Sequence, residues 1–155
     1  MAETFSGEGL DLLLGIFPRG GTNLTTTYLG LFTSGTANGV GAAATAVLST
    51  YTGVTEVPIG TAGYARQSIA AASWGAQAVG AGAAATGRQT TAAQVSFPAA
   101  TAAFGTPING FFLCNASAHA TEIGIFYANF DDVTAIASLA LGDIVKVTPT
   151  FGLTP

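Results

Sequence analysis

Only twelve of the 155 side chains carry a charge at neutral pH, four basic and eight acidic. That is 8% of the chain, where an ordinary soluble domain carries about 25%. A chain of this length can bury a core of its own as a single domain. Its surface must then be wetted by Thr, Ser, Gly, Ala, Asn and Gln, which hydrate weakly and repel neighbours poorly. The hydrophobic share of 49% and the mean hydropathy of +0.51 point the same way. Such a surface suits a protein whose neighbours cover it.

The same scarcity excludes whole classes of function. The net charge is −4 and the isoelectric point about 4.5. Nucleic-acid binding needs clustered cations to neutralise phosphates, and Arg19, Arg66, Arg88 and Lys146 are scattered. Attraction to an anionic membrane surface fails for the same reason. The Ala- and Gly-rich stretch 70–88 around Trp74 is broken by Ser73, Gln77 and glycines, and Ala is too weakly apolar for insertion. Near the start, Glu3, Glu8 and Asp11 lead into Leu12-Leu13-Leu14 and Arg19 follows, the reverse of the positive charge that opens a signal peptide. The expectation is a protein made in the cytoplasm.

Apolar spacing predicts a mainly β chain. Residues 9–17 have the composition of one or two helical turns, with Leu12, Leu13, Ile16 and Phe17 on one face and Pro18 as a stop. A helix this short is marginal alone, so that face needs a partner surface. Residues 25–33 read as a strand rich in Thr, Tyr, Leu and Phe. Residues 34–53 read as a long loop with a weak helical turn near Ala42–Leu48. Strands are expected at 54–57 and at 63–69, where Tyr64, Arg66 and Ser68 alternate with Ala65, Gln67 and Ile69. Two loose strands with a loop are expected over 70–88. Further strands are expected at 93–97, 108–114, 121–128, 133–141 and 143–151, with Gly142-Asp143 as a turn. Short strands between turn signals predict a single-domain antiparallel β-sandwich or jelly roll with long Ala/Gly-rich loops. Its domain would span 25–155, behind an N-terminal arm, 1–24, that carries the short helix.

Candidate chemistry is sparse. Cys114 is the one cysteine, so no intrachain disulfide can form, and its apolar run marks it as a small core residue. His119, the one histidine, falls in a small-residue loop between strands, where a solvated imidazole is the simplest reading. No Cys/His cluster supports zinc. Asp131 and Asp132 lack calcium-loop spacing and fit a turn. Glu56 and Glu122 stand near strand ends, with nothing in the sequence pairing them as acid and nucleophile. No phosphate-binding glycine motif is present. Neither a catalytic set nor a cofactor is expected. An enzyme, if it were one, would have to use His119 or the Asp131/Asp132 pair. Phe97, Phe104, Phe111, Phe112, Phe126 and Phe130 read as core. Trp74, among small and polar residues, reads as an exposed interface anchor.

Several short pieces recur in a familiar order: Tyr28-Leu29-Gly30-Leu31-Phe32-Thr33, Thr55-Glu56-Val57, Gly63-Tyr64-Ala65-Arg66, then Val95 through Ala102, Gly124-Ile125-Phe126 and Gly142-Asp143. Over residues 24–153 this order resembles small bacteriophage virion proteins encoded among head and tail genes. The resemblance implies a non-catalytic structural protein of the virion, made in the host cytoplasm. Capsid decoration, or cement, is the first reading: a protein that clamps adjacent subunits of the major capsid protein, as a homo-oligomer with a trimer favoured. A tail, baseplate or fibre component is the second. A host glycan- or protein-binding module using Trp74 is the third. The interface candidates are Leu12, Leu13, Ile16, Phe17 and Trp74.

Overall fold

The computed structural model describes residues 3–5, 25–35, 54–76, 78–79, 88–118, 124–129 and 136–153. These residues are mainly β. The strands are β1 (Glu3–Phe5), β2 (Thr26–Gly35), β3 (Val54–Glu56), β4 (Gln67–Ala70), β5 (Ala78–Val79), β6 (Arg88–Thr91), β7 (Val95–Ser96), β8 (Gly110–Cys114), β9 (Gly124–Asn129), β10 (Lys146–Val147) and β11 (Thr150–Leu153).

The long strand β2 organises the molecule. Its Thr, Tyr, Leu and Phe residues favour a pleated, buried setting, and it pairs along both edges. One edge takes β8, with Gly30 opposite Phe112 and Leu31 opposite Phe111. The other edge takes β4 at Thr26–Leu29 and β3 at Phe32–Gly35. Strand β8 continues to β9, and β9 to β1. All these pairs are antiparallel and together make a six-stranded sheet. Strand β1, inside the expected N-terminal arm, thus joins the main sheet.

From residue 88 onward the described residues form one long, irregular antiparallel ribbon. From its open end inward, β6 pairs with β11, the Ala92 amide bonds the Pro149 carbonyl, and β7 pairs with β10. Phe97 then bonds Val145, Ala100 bonds Asp143, Phe104 bridges Leu139 and Ile108 bridges Ile136. The ribbon ends in β8 and β9, inside the main sheet. At the open end β5 adds to β6.

The core lies where the ribbon packs over one face of the main sheet. Leu29, Leu31, Ile69, Phe111 and Leu113 come from the sheet; Ala92, Phe97, Val145 and Val147 come from the ribbon. Phe32, Phe112 and Cys114, on the opposite face, are equally closed to solvent. The run Gly110–Cys114 is buried throughout, so its apolar residues do not alternate with polar ones.

Several sequence expectations change. The single strand expected at 143–151 is broken into β10 and β11, with Thr148 and Pro149 between them. The strand expected at 63–69 begins at Gln67, because Tyr64 and Arg66 lie in a loop. The strand expected at 133–141 is reduced, over its described part, to isolated bridges at Ile136 and Leu139. The two bridges are three residues apart on one side and four on the other, so no continuous ladder can join them. The strand expected at 93–97 is limited to Val95–Ser96. Over 70–88, where two loose strands with a loop are expected, the described residues hold a 3-10 turn at Ala71–Ser73, the two-residue β5 and the first residue of β6. The helical turns expected at 9–17 and near Ala42–Leu48 lie outside the described residues.

Candidate functional site

Ten residues, 57–66, separate β3 from β4, although both strands lie on the same edge of β2. The chain leaves the sheet at Val57 and returns at Gln67. Its excursion is a tight loop around a 3-10 turn at Thr61–Gly63. Gly60 and Gly63 carry φ values of 90° and 80°, which a residue without Cβ adopts without strain. The Ala62 carbonyl accepts the Thr101 amide at 2.9 Å, fixing the loop to the ribbon.

An excursion of this kind would orphan backbone groups of β2, and an unpaired buried amide is costly. The loop supplies the partners itself. The Val57 amide bonds the Leu31 carbonyl at 2.9 Å. The Leu31 amide donates to the Tyr64 hydroxyl at 2.9 Å. That hydroxyl donates in turn to Glu56 Oε1 at 2.9 Å. Arg66 closes the cluster with a two-pronged contact, Nε to Glu56 Oε1 at 2.8 Å and Nη2 to Glu56 Oε2 at 2.6 Å. This fork is the strongest form of carboxylate recognition available to a side chain.

The pair is sealed. The side chains of Arg66 and Glu56 are 0% and 3% exposed. Arg66 Nη1 also bonds the Ala116 carbonyl at 2.9 Å, which accepts the Cys114 thiol at 3.2 Å as well. The guanidinium stands 5.5 Å from the Phe112 ring centre, close enough for a cation–π contribution. Phe112 in turn covers Gly30. A Cβ built on Gly30 would fall 2.1 Å from Phe112 Cζ, so only glycine fits. Burial pushes the Tyr64 hydroxyl well above the usual tyrosine range, and the Glu56 charge pushes it the same way. Its ring stacks on Phe97 with centres 5.9 Å apart.

This arrangement fastens rather than reacts. The fork occupies both Glu56 oxygens, and the tyrosine is held protonated. A cavity of about 30 Å³ lies beside Tyr64, bounded mainly by apolar residues such as Leu31, Val57, Phe97 and Ile108. That is room for about one water, too little for a substrate. Among the described residues no group of three His, Cys, Asp or Glu is placed to hold a metal ion, and no helix is long and apolar enough to cross a membrane.

Of the residues singled out in the sequence, Trp74 is half-buried rather than freely exposed. Its backbone bridges Ala92 and its side chain packs on the core. Cys114 is fully buried, as expected of a small core residue. Leu12, Leu13, Ile16, Phe17, His119, Glu122, Asp131 and Asp132 lie outside the described residues. The sequence reading missed the pairing of Glu56 with Arg66. Its signal was available: a carboxylate in the apolar context Val54-Thr55-Glu56-Val57, and one of only four cations ten residues on.

No protein-family model matches the chain, and no curated protein matches it in sequence.

Proposed function

We propose that this chain is a non-catalytic structural protein of a bacteriophage virion, acting as a capsid decoration protein that binds and clamps subunits of the major capsid protein. The observation that carries the reading is the shortage of surface charge. The sequence holds twelve charged side chains, and Glu56 and Arg66 are spent inside the fold on each other. At most ten remain to hydrate the surface of a 155-residue chain. A coat so poor in charge is suited to contact with other protein surfaces in an assembly.

The resemblance over residues 24–153 supports the same reading. So does the sealed cluster at the split edge, which rigidifies the scaffold and leaves no accessible reacting group there. In this reading the architecture is a β-sandwich, with the six-stranded sheet as one layer and the folded-back ribbon as the other. Many copies on a symmetric shell would turn a modest contact into a firm one by avidity.

The direct test is co-sedimentation of the purified chain with shells assembled from the major capsid protein of the same phage. The reading expects saturable binding and a higher temperature for shell disruption. A chain that stays in the supernatant at every ratio would refute the decoration role.

A further inference from the structure

Among the described residues three large apolar side chains stand exposed: Ile59 at 41%, Leu141 at 72% and Ile144 at 52%. Leu141 and Ile144 flank one turn, and Ile59 lies on the excursion beside the same ribbon. The excursion that carries Ile59 is bonded through Ala62 to Thr101. The neighbouring Ala100 donates to the Asp143 carbonyl at 2.8 Å and accepts from the Gly142 amide at 2.8 Å. Excursion, ribbon and the turn at 140–143 therefore stand side by side. Next to the turn lies a shallow groove of about 350 Å³, with half-buried Ile136 and Leu139 and exposed Ile144 among its lining residues.

We propose that this face is a two-fold contact between copies of this chain. Two observations choose a second copy as the occupant. The first is shape: an exposed apolar knob, Leu141, stands in the turn beside a mixed groove whose apolar lining includes Ile136, Leu139 and Ile144, so a two-fold axis between copies would seat each knob in the other's groove. The second is charge. Asp143 and Lys146, the chain's single lysine, both line the groove. Across the same axis each Lys146 meets the Asp143 of the other copy, and the contact is electrostatically self-complementary.

The knob is also pre-formed. Gly142 takes φ 91° in the turn, and Asp143 Oδ2 accepts the Ala140 amide at 2.7 Å. A rigid turn loses little freedom on docking, which favours affinity.

This inference rests on the reading of a surface made to be covered, but it fails separately. Shells can recruit a monomer, and a dimer can ignore shells. Sedimentation equilibrium of the full chain over a wide concentration range tests it, with thermal melting of each variant to confirm folding. The wild type is expected to show a monomer–dimer equilibrium. Leu141→Ser, at a solvated position, should weaken the dimer about tenfold or more. Lys146→Glu should weaken it through like charges, and adding Asp143→Asn, which removes the like charge but keeps a side-chain oxygen for the Ala140 amide, should recover part of the loss. A monomer at every concentration, a trimer, or a dimer indifferent to Leu141→Ser overturns the proposal. A dimer that Asp143→Asn fails to strengthen in the Lys146→Glu background overturns the two-fold arrangement.

Discussion

The Tyr64 hydroxyl accepts the backbone amide of Leu31 at 2.9 Å, where the neighbouring strand has left the sheet. A side chain from the excursion thus satisfies a ladder position that β3 and β4 leave open. The same oxygen donates to Glu56, so the backbone repair and the buried ion pair form one network.

Tyr64→Phe removes the acceptor for Leu31 and a donor to Glu56 together. The expected loss is about 1–3 kcal/mol, the cost of a buried group left unsatisfied. Chemical denaturation at neutral pH measures it.

The tyrosine also gives the fold an alkaline limit. Its pKa is raised in the folded state above the ordinary value of about 10, so above that pH the unfolded chain releases a proton that the folded chain retains. Stability from this group is full below pH about 10 and declines as the pH rises beyond it. Denaturation midpoints across the alkaline range should fall more steeply for the wild type than for Tyr64→Phe. Parallel curves would show that Tyr64 is not the group responsible.

Breaking the buried pair should cost more than replacing it. Glu56→Gln leaves the Arg66 guanidinium in the interior without its carboxylate, an effect of about 3–5 kcal/mol. Arg66→Met strands the carboxylate instead. The double variant carries neither buried charge and should be more stable than the sum of the two single losses predicts. A double-mutant cycle with additive losses would contradict a coupled network.

Gly30 and Phe112 form a second coupled pair, set by space alone. Gly30→Ala places a methyl inside the Phe112 ring and should destabilise by about 1–3 kcal/mol, as overpacking does. With Phe112→Leu in the same chain, the cost of adding the methyl should shrink. Thermal melting of the four chains reads this directly.

The sequence made much of this architecture legible, but not the device at its centre. Strand β2 was visible because Thr, Tyr, Leu and Phe dominate residues 25–33, and β8 because Phe111–Cys114 is an unbroken apolar run. The turn at Gly142-Asp143 was visible because glycine supplies the positive φ and aspartate caps its own loop. The alternation from Tyr64 to Ile69 misled. It fits a strand, yet Tyr64 and Arg66 point inward to repair the sheet edge from outside it, a tertiary role that two-residue periodicity cannot distinguish from pleating. Small neighbours suggest that Trp74 is exposed, yet its side chain packs in part on a core drawn from distant segments of the chain. Glu56 and Arg66 were each visible as rare charges, while their partnership depends on a ten-residue loop closing on itself.

The most direct test of a coat made to be covered is the copy number of this chain in purified phage particles, by quantitative mass spectrometry against the major capsid protein. A decoration role predicts a fixed ratio, with copies on the order of hundreds per particle, as an icosahedral lattice requires. A dozen or fewer would move the chain to the tail, and particles that contain none of it would contradict the account.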